Sequence, residues 1–449
     1  MIRSPLVINK PNGPAAANST AMIVRLCYST LLFLALPIIL GRQLWRSRQD
    51  AGHRQRWSER LGFVAPLDRT NGRIIHFHLV SVGETLAALP LLNLWLKQHP
   101  TDQVHVTCMT LTGSREIQKR LGDQVSHSYL PYDLPMAMST FYRRIPAAVT
   151  VIMETELWPN LLYQAKRHQV KTLVMNARLS ERSFNRYGRW PVATQHLLAP
   201  VNLICCQNQA TLDRFAALGA RSNQLQLTGN LKFDMDIADD LLERGNTLRI
   251  ELGEKRPIWI AGSTHDGEDD ILLQAHASIC HRHPDALLIL VPRHPERFDQ
   301  VAKLISQHNL SFERRSNHDV SGQQLHTANV LLGDTMGELM VLYRAADIAF
   351  VGGSLVERGG HNPLEPVALT RPVVSGRHVF NFTEVYQMLD EQQAVRWAND
   401  APALATAVTT LLTDAAQAND MTLAASQVLS RHQGAKEKTQ AAITSLLDE

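Results

Sequence analysis

Cysteine is scarce in this 449-residue chain, and what there is has no arrangement that would close a loop or hold a metal. Cys27, Cys108, Cys205, Cys206 and Cys280 make an odd number without CxxC spacing. That excludes a structural zinc and a disulfide scaffold, and points to reduced thiols in a cytosolic setting. Adjacent Cys205 and Cys206 fall on opposite faces of a strand and are not expected to pair. Charge of one sign is lacking too: a net charge of +3 gives no reason to expect a nucleic-acid partner. The close histidine pairs His76/His78 and His281/His283 have no third ligand, so no metal site is expected there. Asp234-Met235-Asp236 resembles a DxD metal motif but reads as a cap or linker. No GxGxxG fingerprint surrounds Gly352-Gly353. Short repeats and low-complexity tracts are missing as well.

What is present is a globular composition, 45% hydrophobic and 19% charged, in a chain too long for one core. Two or three domains are expected. Residues 1–20 are rich in Pro, Asn and Ala and are expected to form a disordered extension. A single long apolar run follows, Leu26–Gly41, 16 residues without a charge. A spanning helix needs about 20 apolar residues, so Met22–Val24 must join the run and Arg25 must snorkel. Residues 21–41 are therefore assigned to a membrane anchor helix. Arg42, Arg46, Arg48, Arg54, Arg56 and Arg60 come next, against only Asp50 and Glu59, which places the following chain on the cytoplasmic side. In a cleaved signal peptide the positive charge would precede the run instead. Trp45 and Trp57 in this basic stretch suit anionic lipid head groups.

From Ile74 the pattern becomes strand, loop, helix, repeated. Strand candidates are Ile74–Val80, Val104–Thr110, His127–Leu130, Val149–Met153, Thr172–Met175 and Leu203–Cys206. A second series holds Ile258–Ala261, Ala286–Val291, Val330–Leu332, Ile348–Val351 and Pro372–Val374. Helix-period runs lie between most of them, as in Thr85–Gln98, and Met421–Leu447 reads as one amphipathic helix. Such alternation means parallel sheets covered by helices on both faces. The expected fold is thus α/β, with two doubly wound domains at 42–233 and 234–449. Ligands in such sheets sit beyond the carboxyl ends of the strands, and facing domains would put the site in the cleft between them.

Polar clusters fall at those strand ends. Glu84 in Ser81-Val82-Gly83-Glu84 is either a first-turn carboxylate favouring the helix dipole or a general base. Glu154-Thr155-Glu156 follows another strand; two carboxylates there are costly to bury idly, although surface exposure before a helix begun by Pro159 is the plainer reading. Asn176-Ala177-Arg178 and Lys232 in GNLKFD complete the first half. In the second half come Ser263-Thr264-His265, then Pro292-Arg293-His294, then Asp334-Thr335-Met336-Gly337-Glu338. Arg293 suits bidentate phosphate recognition. The stretch VGGSLVERGGHNPLEPVAL, Val351–Leu369, looks like a nucleotide or sugar-phosphate cradle: glycines for close backbone approach, Asn362 as N-cap, Pro363 in the first turn, and Glu365 for a ribose diol. Each cluster also has a reading as a plain cap or turn.

Eight blocks in order carry a resemblance: SVGETLAALPLL, YLPYDLP, METELWPNLL, NARLSERS, GNLKFD, LVPRHPERF, LGDTMGELM and FVGGSLVERGGHNPLEP. From about Met22 to the C-terminus the chain resembles the 3-deoxy-D-manno-octulosonic acid (Kdo) transferase family of lipopolysaccharide synthesis. The resemblance implies an inverting GT-B glycosyltransferase, two facing Rossmann-like domains behind an N-terminal membrane anchor, on the cytoplasmic face of the inner membrane. It implies CMP-Kdo as donor and the tetraacylated lipid A precursor lipid IVA as acceptor. The basic stretch adds anionic inner-membrane lipid as a further partner, and a monophosphate leaving group that Arg293 and helix N–H groups can neutralise needs neither cofactor nor metal. The proton acceptor falls on Glu84, and transition-state support on Glu154 and Lys232. The CMP contacts fall on Pro292, Arg293, Met336, Gly337, Glu338, Asn362, Pro363, Leu364 and Glu365. Departures from the family pattern are the longer N-terminus and Arg377-His378 in place of the usual Gly-Pro-His. The rival enzyme reading is a GT-B-fold epimerase or hydrolase acting on a free nucleotide sugar, which would need no anchor. A membrane-tethered scaffold is the non-enzyme reading, and the acid–base set at Glu84, Glu154 and Lys232 argues against it.

Overall fold

The computed structural model describes residues 14–48, 50, 52, 55–69, 72–317 and 328–449. Positions 1–13 of the expected extension, and Arg54 of the basic stretch, lie outside them. Two compact units form, one from Met1–Asp234 with Gln433–Glu449, the other from Met235–His432.

The first unit holds β1 (Ile74–His78), β2 (Gln103–Cys108), β3 (Ser126–Tyr129), β4 (Val149–Met153), β5 (Lys171–Ala177), β6 (Leu203–Cys206) and β7 (Leu225–Leu227). They make one seven-stranded sheet in the order β3-β2-β1-β4-β5-β6-β7, and each pairing is parallel. The second unit holds β8 (Ile258–Thr264), β9 (Leu287–Pro292), β10 (Phe312–Arg314), β11 (Val330–Leu332), β12 (Ile348–Val351), β13 (Val373–Ser375) and β14 (Val395–Trp397). Its sheet is again seven-stranded, in the order β10-β11-β9-β8-β12-β13-β14, and parallel throughout. The central strands β1, β4, β8, β9 and β12 are buried along their whole length; β9 and β12 are apolar throughout, while β1, β4 and β8 also bury His76, His78, Thr150, Ser263 and Thr264. The order reverses between β1 and β4 in one sheet and between β8 and β12 in the other.

All eleven strands expected from sequence are present. The three without a sequence signal, β7, β10 and β14, are sheet edges of three residues each. Partly exposed edge strands this short carry no periodic pattern.

The C-terminal end differs from the sequence expectation. Met421–Leu447 is two helices, Ala415–His432 and Ala435–Asp448, broken at Gly434 (φ 96°). The glycine's left-handed backbone is costly for other residues. The carboxylate of Asp234 accepts the N–H groups of Gly434 at 2.7 Å and Lys436 at 2.6 Å. The first acid of the DxD look-alike is therefore a helix cap. The last helix buries Ala435, Ala442, Ile443 and Leu446 among Ile75, Leu91, Val151 and Met175. So 234–449 is not one domain: residues 433–449 complete the core of the first unit.

The N-terminal helix runs Pro14–Arg46 and thus begins inside the stretch expected to be disordered. Met22–Trp45 is the one helix among the described residues long and apolar enough to cross a membrane. The Arg25 guanidinium lies 3.4 Å from the Tyr163 ring centroid. One turn on, Ser29 Oγ accepts from Asn160 Nδ2 at 3.0 Å. Leu26, Leu31, Phe33, Leu34, Ile38 and Trp45 remain exposed.

Buried imidazoles are concentrated on β1–β3. His76 and His78 share the Thr107 hydroxyl at 2.8 and 3.0 Å. His105 meets Ser126 and Ser128, and His127 meets Ser114 at 2.8 Å. Burial above all holds them neutral, with His78 and His127 pulled down to about 4 and His105 to about 3. These pKa values lie below the unfolded value of about 6.5. The unfolded chain therefore binds protons first, and stability is lost as pH falls from about 6.5 towards 4. Each histidine contributes a slope of up to ~1.4 kcal/mol per pH unit in that window. Denaturant titrations at pH 7 and pH 5 should show a clearly lower midpoint at pH 5; equal midpoints would contradict this.

Candidate active site

In the first unit the site residues sit where the strand order reverses, at the carboxyl ends of β1 and β4. Ser81 caps the Val82–Gln98 helix, its Oγ accepting the Glu84 N–H at 3.4 Å. Glu84 folds back: Oε2 accepts the Val80 N–H at 2.7 Å and Oε1 accepts from Ser81 Oγ at 3.2 Å. Glu84 thus reaches back to the N–H one residue before the N-cap, a near relative of the capping box, so the plain helix-start role is real. It is not the whole of it. Burial, with the Glu154 and Glu156 carboxylates adding, pushes Glu84 up to about 7 against the opposing Val80 and Ser81 bonds.

Glu154 follows β4 with φ 56°, a backbone region that a non-glycine residue seldom adopts. Its N–H still donates to Met175 O at 2.9 Å, extending the β4–β5 ladder. Glu154 and Glu156 are half-buried, not displayed on the surface. Glu156 accepts from Trp158 Nε1 at 2.8 Å, and burial raises its pKa. Asn176, also left-handed (φ 51°), closes β5. Its Oδ1 accepts the Leu231 N–H at 3.0 Å and so fixes the GNLKFD turn. That turn, Leu231–Phe233, carries half-buried Lys232 and packs on the Glu84 helix. Glu84, Glu154 and Lys232 are thereby brought to one edge of one sheet. Arg178 is exposed, and its carbonyl accepts from Thr155 Oγ1.

In the second unit the expected nucleotide contacts follow β9, β11 and β12, on either side of β8 at the other reversal. Pro292 ends β9, and the Arg293 N–H reaches Thr264 O at 3.0 Å. The Arg293 guanidinium is exposed. Met336 is exposed and Gly337 is left-handed at φ 87°. The Glu338 carboxylate is already engaged by Thr335, by Arg315 at 3.2 Å and by Arg244 at 3.2 Å. Burial would raise it, but these partners outweigh burial and hold it below the ordinary range. What the Met336–Glu338 turn has left to offer is backbone.

Asn362 is not the N-cap expected from sequence: Pro363 takes that place, and Asn362, one residue earlier, accepts the Leu364 N–H on its Oδ1 at 3.1 Å. The helix starts one residue later and spans only Leu364–Ala368, five residues, so its dipole is a minor source of positive potential. Pro363 and Leu364 are buried. Burial drives Glu365 up to about 7, with Asn362 and Arg293 opposing.

One residue that organises this cradle was not singled out from sequence. Glu268 is fully buried. Its carboxylate accepts N–H groups from His265 at 2.8 Å, Gly353 at 2.7 Å, Ser354 at 3.0 Å and Leu355 at 2.9 Å. It thus ties the loop after β8 to the glycine loop after β12. A glutamate three residues past His265, before a helix, was its only sequence signal. Ser263, left-handed at φ 58°, adds a register shift between β8 and β9 at the same edge. Backbone strain at strand ends in both units is typical of functional sites.

Two parallel, doubly wound α/β units in series, each with polar groups at its switch point, define a GT-B-type glycosyltransferase fold. The fold matches that of a UDP-GlcNAc 2-epimerase from Neisseria meningitidis, with TM-score 0.56 at 12% identity over 83% of this chain and 99% of that one. The 3-deoxy-D-manno-octulosonic-acid transferase (kdotransferase) family model matches residues 55–235. The 3-deoxy-D-manno-octulosonic acid transferase of Haemophilus influenzae is 41% identical over 92% of this chain and 96% of its own. That of Bordetella pertussis is 33% identical over 91% and 96%. This chain belongs to the 3-deoxy-D-manno-octulosonic acid transferase family and is a Kdo transferase.

Proposed function

We propose that the chain moves Kdo from CMP-Kdo to the lipid A precursor lipid IVA, with inversion at the anomeric carbon, in lipopolysaccharide core synthesis. The observation that carries this is Glu84: a half-buried carboxylate at a switch point, poised near neutrality by burial and two neighbouring acids. Glu84 takes the proton from an acceptor sugar hydroxyl, whose oxygen attacks the anomeric carbon. The bond from that carbon to the phosphate oxygen breaks, and CMP leaves with the electron pair. Direct displacement needs no covalent glycosyl-enzyme, only a base and a stabilised leaving group. Lys232 pairs with the sugar carboxylate or the leaving phosphate, and Glu154 orients Lys232 or supports positive charge at the anomeric centre.

Pro292, Arg293, the backbone of Met336, Gly337 and Glu338, and Asn362, Pro363, Leu364 and Glu365 hold CMP, Glu365 on the ribose diol. CMP leaves as a monophosphate, whose charge Arg293 and backbone N–H groups can neutralise, so no metal is required. The exposed apolar side of Met22–Trp45 and the arginines that follow it support anchoring to the inner membrane, with the sheets on the cytoplasmic side.

The test is CMP release from CMP-Kdo by the full chain in detergent, with and without tetraacylated disaccharide acceptor, in excess chelator. Release should depend on acceptor and be undiminished by chelator. Acceptor-independent release of free Kdo would favour a hydrolase, and a loss reversed by Mg²⁺ would overturn the metal-free step.

A further inference from the structure

Two histidines from opposite sides of the β8/β12 reversal meet over the glycine loop. His265 follows β8, and His361 lies in the loop between β12 and the Leu364–Ala368 helix. Their Nε2 atoms are 2.9 Å apart. The rings lie end to end and nearly parallel, 5.2 Å between centroids and 3° between planes. Gly353, at φ 70°, lies beside both rings; a Cβ there would stand 3.2 Å from His361 Cδ2 and 3.4 Å from His265 Cδ2. Backbone bonds hold both loops: the His265 N–H donates to Glu268, and the His361 N–H donates to Gly352 O at 3.1 Å.

Two imidazole nitrogens at this distance hold one hydrogen between them. One donates, the other accepts, and both rings are neutral. The surroundings explain why. His294 stands edge-on to His265 at 5.5 Å. After burial, His294, Arg358, Arg297 and Arg293 all push His265 down to about 4. Burial, Arg293, His265 and His294 do the same to His361. The carboxylates nearby are already committed. Glu268 is taken up by backbone N–H groups. Asp269 pairs with Arg297, and Asp266 approaches the same guanidinium at 3.8 Å. Glu365 faces Arg293. This edge therefore has positive charge to spare and a proton site kept empty by that charge. An incoming dianion reverses the balance.

We propose that the His265–His361 pair takes up a proton when the phosphate of the nucleotide binds across the β8/β12 reversal, so that an imidazolium joins Arg293 in neutralising the departing monophosphate. The inference rests on the second unit being the CMP site, and deepens that reading: the phosphate is recognised partly by a proton that the free protein lacks. Uptake accompanies binding, so affinity strengthens as pH falls.

The test is calorimetry of CMP and of cytidine binding to the full chain in detergent, each in two buffers of different ionisation enthalpy. The second phosphate pKa is about 6, so CMP is the dianion above pH 7; there we expect uptake rising towards ~1 proton per nucleotide as pH falls from about 8.5 to 7, with Kd falling by up to ~10-fold per pH unit. Cytidine, which has no phosphate, should show neither. In His361→Asn the CMP-linked uptake should disappear while cytidine binding persists. If His361→Asn fails to bind cytidine, His265→Asn serves in its place. Equal uptake in wild type and variant would put the proton on the nucleotide's own phosphate and overturn the proposal. No CMP binding by the wild-type chain at all would instead overturn the assignment of the nucleotide site.

Discussion

Glu84→Gln is expected to lower the rate of Kdo transfer at saturating donor and acceptor by roughly 10²–10⁴, the range general-base catalysis supplies. Glutamine keeps the shape: its one amide oxygen can still accept from Val80 N–H while its NH2 donates to Ser81 Oγ, so the helix start survives and the loss is chemical, not structural. The pH profile sharpens the test. A base must be deprotonated, and burial places Glu84 near 7. Turnover of the wild-type chain should therefore rise with pH through about 7 and level off above it, falling up to ~10-fold per unit below. Glu156 helps to hold Glu84 up, so Glu156→Gln should move that limb to lower pH. A wild-type rate flat between pH 6 and 8, or Glu84→Gln at full turnover, would remove Glu84 as the base.

The second large effect is expected at Glu268, which the reaction never touches. Glu268→Ala leaves four N–H groups, from His265, Gly353, Ser354 and Leu355, without their acceptor in a buried place. An unsatisfied buried donor costs about 1–3 kcal/mol. The sum, discounted for relaxation and water entry, is on the order of 4 kcal/mol, at the top of what single substitutions do. The loops after β8 and β12 lose their common tie, so CMP affinity should fall along with the denaturation midpoint. Glu268→Gln offers one acceptor oxygen in place of two and should lie between. A Glu268→Ala protein as stable as wild type would show that these bonds do not hold the loops.

The sheets were legible because their central strands are buried on both faces and are mostly apolar, with few polar interruptions. The edge strands β7, β10 and β14 were not, being three residues each and partly exposed. The site was legible as a row of strand ends, since chemistry in such sheets concentrates there. Its working geometry was not. Nothing local announces that Glu154 is left-handed, or that the Asn176 side chain fastens the Lys232 turn from 55 residues away. His265 and His361 were visible as residues but not as a pair, because 96 residues separate them. The C-terminal helix was read as a continuation of its neighbour. Asp234, 200 residues before Gly434, caps it instead and returns the chain to the first core.

The most direct test of the account is the product of a single reaction. Full-length protein in detergent, CMP-Kdo and tetraacylated disaccharide should yield a lipid heavier by whole Kdo units, with free CMP. NMR of the new linkage should show the anomeric configuration opposite to that in the donor. A retained configuration, or CMP released with no lipid product, would contradict transfer by direct displacement from a base at Glu84.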